Sequence, residues 1–131
     1  MIMDGRVDGY ETPRRSDVDA LGSLLALEAA VGRADELVGK GDLMDAKVAW
    51  ERIVQVAGDL FGPYDASVID AERIISAILA RLGSIDDARS ILIDCVRRLD
   101  GVVATSRIKS AIRRDLVHLD EITNRTASVM G

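Results

Sequence analysis

The chain repeats itself, and the repeat limits what it can become. Gly41-Asp42-Leu43-Met44-Asp45-Ala46-Lys47 matches Gly83-Ser84-Ile85-Asp86-Asp87-Ala88-Arg89 at an offset of 42 residues. Glycine, polar residue, aliphatic, any residue, Asp, Ala and cation fall in the same order. The register continues on both sides, pairing Ala34 with Ser76, Leu37 with Leu79, Trp50 with Leu92 and Ile53 with Cys95. A unit of this length is one supersecondary element whose apolar face needs a neighbour. The glycine turns the chain between two antiparallel helices. The alanine lets those helices approach closely, and the large residue four positions later fills the wider gap beyond.

Helical periodicity surrounds the repeated turns. Apolar residues recur three and four positions apart, which predicts five helices. The first covers 17–38, striped by Ala20, Leu24, Leu27, Val31, Ala34 and Val38. The second covers 43–60, with Leu43, Ala46, Trp50, Ile53, Ala57 and Leu60. The third covers 66–82, with Val68, Ala71, Ile75, Ile78, Leu79 and Leu82. The fourth covers 85–99, with Ile85, Ala88, Ile91, Leu92, Cys95, Val96 and Leu99. The fifth covers 105–122, with Ile108, Ile112, Leu116, Leu119 and Ile122. Ser16 with Asp19, Asp42 with Asp45, and Ser84 with Asp87 are the expected N-terminal capping pairs. Gly39 with Gly41, then Gly62-Pro63, Gly83 and Gly101, are the expected stops. Residues 1–16, with Gly5, Gly9 and Pro13 and no period, read as a flexible tail, and 124–131 as a frayed one.

Composition narrows the function classes. The length of 131 residues suits one domain. Aromatics make up only 3 % (Tyr10, Trp50, Phe61 and Tyr64), which leans away from sheet. Cys95 is the single cysteine, so neither an internal disulfide nor a multi-cysteine zinc site can form. No apolar run is long enough to span a membrane, and the first residues lack the pattern of a secretory signal, so the expected location is cytoplasmic. Arg outnumbers Lys and Asp outnumbers Glu, a bias of GC-rich genomes that points to a bacterial source. The net charge is −5, which argues against general nucleic-acid affinity. The acid excess lies in the first half. Between Arg97 and Arg114, six cations (Arg97, Arg98, Arg107, Lys109, Arg113, Arg114) face Asp100 alone.

The repeated turn, the small residues at the helix crossings and Leu60-Phe61-Gly62-Pro63 together resemble the tetratricopeptide repeat. The usual form has about 34 residues and a Gly-polar-aliphatic-x-x-Ala turn. A longer form of 42 residues, as here, is known in kinesin-light-chain-like proteins and bacterial regulators, often with Leu-Phe-Gly-Pro after its second helix. The resemblance covers about 20–99. It implies an all-α fold of antiparallel helical hairpins, stacked as a short right-handed solenoid with a C-terminal capping helix. Repeat 1 would span about 20–61, repeat 2 about 62–100 and the cap about 105–123. Three positions depart from the family pattern: Glu72 where a large apolar residue is preferred, Arg33 where Leu is, and Asp100 where Pro is common.

Catalysis finds little to stand on. His118 is the one histidine, flanked by Val117 and Leu119, and has no second His or Cys beside it in the sequence. Cys95 falls on the apolar stripe, where a thiol is inert. Asp86 and Asp87 fit a helix N-terminus, and Asp120 and Glu121 point about 100° apart on a helix, so they form no dyad. No phosphate loop or nucleophile elbow is present, and no cofactor is implied. Trp50 lies on its stripe as a packing anchor. The expected function is a non-enzymatic protein-interaction adaptor, one subunit of a larger bacterial complex, that binds a partner helix or peptide or associates with itself. The alternative is a small nucleic-acid-binding regulator using the basic fifth helix. In the proteins this sequence resembles, one face of each repeat's first helix lines a concave groove. Here that face holds Asp70, Arg73, Ile74, Ala77 and Arg81 on the third helix, about 120° from its core stripe. Glu28, Val31, Gly32, Asp35 and Gly39 match it on the first helix. Such a groove has an acidic wall, a basic wall and an apolar floor. The basic patch around Arg98 and Arg107 is the second candidate surface.

Overall fold

The computed structural model describes the backbone of residues 15–100 and 106–130 and the side chains of residues 22–100 and 107–125. These residues form five α-helices and no strand: α1 (Arg15–Lys40), α2 (Leu43–Phe61), α3 (Ala66–Arg81), α4 (Ile85–Leu99) and α5 (Ser106–Met130). Each helix packs against the next in sequence, and α3 also packs against α5.

The two repeated turns share three hydrogen bonds at equivalent positions. Gly41 and Gly83 take left-handed backbone, φ 81° and 91°. The Asp42 N–H donates to the Leu37 carbonyl at 2.9 Å and Gly41 N–H to Val38 at 3.0 Å. At the equivalent places, Ser84 N–H donates to Leu79 at 2.8 Å and Gly83 N–H to Ala80 at 3.1 Å. This pair of bonds closes the helix end on its own orphan carbonyls, and only glycine enters the required φ without strain. Asp42 and Ser84 hold the N-cap positions of α2 and α4, as expected, but neither side chain makes a capping bond. Their backbones already serve the preceding helix, at ψ 68° and 65°. The side-chain cap belongs to α3 instead. Asp65 accepts from the Ser67 N–H at 2.9 Å and from its hydroxyl at 2.5 Å. Those two bonds hold the Asp65 carboxyl below its ordinary pKa. Its contribution to α3 is present above the usual carboxylate range and is lost as pH falls through the lowered value.

The stripes bury as their periods require. Ala34 of α1, Ala46, Trp50, Ile53 and Ala57 of α2, and Ala88, Leu92, Cys95 and Leu99 of α4 are buried. α3 is covered on more than one side, because α2, α4 and α5 all touch it. Ile69 and Ser76 are therefore buried beyond the expected stripe, and the Ser76 hydroxyl donates to the Arg73 carbonyl at 2.7 Å. Leu24 is exposed instead of buried.

Two helix ends differ from expectation. α1 begins at Arg15, which places Ser16 inside the helix and not at its cap. α5 runs to Met130, so 124–130 is helical and not a frayed tail. Between Ile122 and Met130 no Gly or Pro interrupts the chain. Most of the expected tail, 1–14, and the stop at Gly101 lie outside the described residues.

Ala46 and Ala88 are both 0 % exposed and sit at matching places in the first turns of α2 and α4. Ala46→Leu and Ala88→Leu should each destabilise the protein by about 1–3 kcal/mol through overpacking. Chemical denaturation followed by Trp50 fluorescence reads this, and two parent-like curves would contradict the shared crossing.

Candidate functional site

Three features could carry function: two crevices and a buried polar cluster. The first crevice, about 280 Å³, lies between α3 and α5. Ala77, Ala80, Leu92 and Leu119 give it apolar lining, while Arg81 and Asp115 bring opposite charges. Ile112 and Leu119 anchor α5 by burial, each worth about 1.5–3 kcal/mol. Two ion pairs set its register: Arg73 Nε to Asp115 Oδ2 at 2.9 Å and Arg89 Nη2 to Asp120 Oδ1 at 2.8 Å. Partly exposed pairs contribute only about 0–1 kcal/mol, so burial holds α5 and the charges orient it. The Asp115 hydrogen bond, with Asp70 contributing, raises the Arg73 pKa further.

The second crevice is larger, about 630 Å³, and lies between α1 and α2. Leu27, Ala30, Ile53 and Val56 give it apolar lining; Arg33, Glu36, Lys40 and Arg52 also line it. Nothing in the stripes announces it. The available signal is the repeat itself: Arg33 and Glu36 stand where the second unit has Ile75 and Ile78, both buried.

The polar cluster joins α3 to α4. Arg98 pairs with Glu72, lies 3.0 Å from Asp94 Oδ2 through Nε, and donates from Nη1 to the Pro63 carbonyl at 3.0 Å. The Arg98 and Glu72 side chains are only 18 % and 19 % exposed. Burial opposes the guanidinium charge, but the Glu72 hydrogen bond and the nearby negative charge outweigh it, so the Arg98 pKa rises. Arg98 is thus turned inward, and Glu72 has its counter-charge. The first unit has Ala30 and Val56 at these two places. Cys95 is 0 % exposed beside the pair. Burial first, and the Glu72 charge second, push its thiol up to about 11, so it stays protonated at neutral pH.

The remaining expected contact residues are spread out. Ala77 and Arg81 line the α3–α5 crevice. Asp70 is tied to Arg73 at 3.3 Å, and Ile74 is half-buried against the core. Glu28 and Asp35 are exposed on α1 and line neither crevice. The wall facing α3 across this crevice is α5, and no α1 residue lines it. Arg107 is exposed on α5. Among the described residues no group of three His, Cys, Asp or Glu could hold a metal ion. His118 also lines the α3–α5 crevice, with Nδ1 3.9 Å from Glu121. No helix of the described residues is long and apolar enough to cross a membrane. No family model, no curated protein and no solved structure matches the chain.

A double-mutant cycle tests the buried pair. Arg98→Val alone should cost about 2 kcal/mol or more, because it strands a poorly solvated Glu72. Glu72→Ala with Arg98→Val, which copies the first unit, should cost less than the single change. Glu72→Ala alone completes the cycle, and a double-mutant loss equal to the sum of the two single losses would mean the two side chains act independently. Separately, Cys95 in the native protein should react with a thiol reagent at pH 8 only as fast as the fold opens. Immediate modification of the native protein would contradict its burial.

Proposed function

We propose that the chain is a tetratricopeptide-repeat-like, non-enzymatic adaptor that binds a helix or extended peptide of a protein partner. In this reading the α1–α2 and α3–α4 pairs are hairpins stacked as a short right-handed solenoid, and α5 is its cap. The α3–α5 crevice carries the reading: an apolar lining with Arg81 and Asp115 beside it. An amphipathic helix lays its apolar side chains into such a groove, and charges of either sign at its edge fix the partner's register. The two equivalent turns and the packing of α3 against α2, α4 and α5 support the repeat architecture. The setting we assign is the bacterial cytoplasm, within a larger complex, on the grounds of composition alone.

The outer face of α5 favours a second reading, nucleic-acid binding. Arg107, Arg113 and Arg114 are exposed there and make no ion pair among the described residues. Phosphate binding weakens steeply with salt, whereas an apolar groove does not.

The test uses a partner recovered by affinity capture and then purified. Ala77→Trp with Arg81→Glu blocks the crevice and reverses its charge while leaving the Arg73–Asp115 pair intact. Affinity should fall at least about tenfold, or about 1.4 kcal/mol, with an unchanged melting temperature and a shallow salt dependence. Survival of binding would remove the crevice as the site. A steep salt dependence abolished by Arg107→Glu with Arg114→Glu would favour the second reading.

A further inference from the structure

The α1–α2 crevice is the larger of the two, and its apolar floor is open. Leu27, Ala30, Ile53 and Val56 line it, and Val56 is 37 % exposed. The second helical pair shows what fills the matching place. Arg33, Glu36 and Lys40 of the crevice correspond to Ile75, Ile78 and Leu82. The first two of these are buried and the third packs against the core. α4 does not account for this, because it stands to α3 as α2 stands to α1, and α2 leaves Arg33, Glu36 and Lys40 exposed. α5 does not either. It meets α3 at the crevice of Ala77 and Ala80, about 160° around the helix from Ile75 and Ile78. The remaining helix packed against α3 is α2. The Arg98 bond to the Pro63 carbonyl agrees, since Pro63 lies just past the end of α2 and Arg98 matches Val56. A helix therefore fills on the second pair the place that stands open on the first.

The turn that seats α2 on α3 has no equivalent before α1. The counterpart of Pro63 is Leu21, which lies inside α1. A helix laid on α1 in that manner comes from another molecule, and the charges specify its chemistry. The crevice presents Arg33, Lys40 and Arg52 against Glu36, and the three cations make no ion pair among the described residues. From Ser23 to Lys40 the lining follows α1 for about 26 Å, the length of a helix of about 18 residues. An apolar stripe between acidic flanks complements such a surface. A second copy is a poorer match. The same face would set these cations against themselves, and the outer face of α5 would bring Arg107, Arg113 and Arg114 to meet them.

We infer that the α1–α2 crevice docks an acidic amphipathic helix of a second protein, seated on α1 as α2 is seated on α3. Its apolar side chains enter against Leu27, Ala30 and Val56, and its acids pair with Arg33, Lys40 and Arg52. The site is separate from the α3–α5 crevice and does not depend on it.

A synthetic peptide probes the site on the full chain. The probe is a dye-labelled helix of about 18 residues, with Leu at three- and four-residue spacing and Glu on both flanks. Its control has Lys in place of each Glu. Followed by fluorescence anisotropy, the Glu peptide should bind at least about tenfold tighter than the Lys peptide. Its saturation should shift the amide signals of Ala30 and Val56 and spare those of Ala77 and Leu119. Arg33→Glu with Arg52→Glu, both at exposed positions, should reverse the preference and leave the melting temperature unchanged. Absence of binding, equal affinity for the two peptides, or shifts at Ala77 and Leu119 instead would overturn the inference. So would a dimer of the unliganded chain that the same double change dissolves, because the occupant would then be a second copy.

Discussion

Gly41 and Gly83 hold the backbone in a conformation that a side chain resists, and the placement of α1 against α2 and of α3 against α4 follows from that. Each glycine lets a helix close on its own carbonyls and hand the next residue straight to the following helix. The preceding and following helices are thereby bound to meet at the alanine five positions on. Ala46 and Ala88 have no exposed surface, so the approach is as close as a methyl group allows. Trp50 and Leu92 then occupy the widening space. Asp42 and Ser84 serve the preceding helix through their N–H groups and the following helix through their carbonyls, which accept from Ala46 and Ala88.

The two units differ where their surroundings differ. α3 is covered by three neighbours, and Ile75 and Ile78 are buried accordingly. α1 keeps Arg33 and Glu36 at the matching places, both solvent-facing. The reverse exchange occurs deeper in. Glu72 and Arg98 replace Ala30 and Val56, and the pair is tolerated because each ion satisfies the other and a carbonyl takes a further donor. Cys95 lies beside this cluster as a protonated thiol, which fits packing and not chemistry.

Much of the fold was legible in the sequence because helix periodicity and glycine stops are local signals. The stripes of α2, α4 and α5 bury as their spacing requires, and the turns fall at the repeated glycines. What the sequence did not disclose is set by tertiary contact. Ile69 sits off the α3 stripe and is buried because a third helix covers that side. Asp42 and Ser84 have the composition of side-chain caps, but the turn that precedes them takes their backbone geometry. Arg98 reads as part of a solvated basic run, and only the fold brings Glu72 from another helix to meet it. For the candidate site, Ala77 and Arg81 were legible as a face of α3. Asp115 and His118 across the crevice were not, because periodicity places residues on one helix and does not say which helix lies opposite. The α1–α2 crevice was hidden for the same reason.

The equivalence of the two turns is tested most directly by amide hydrogen exchange at Asp42 and Ser84, followed by nuclear magnetic resonance. Each N–H closes the same bond to a carbonyl of the preceding helix, at 2.9 and 2.8 Å. Both amides should exchange well below their intrinsic rates, with protection that falls together as denaturant is added. Exchange of either at its intrinsic rate, with the other protected, would contradict a chain built from one turn used twice.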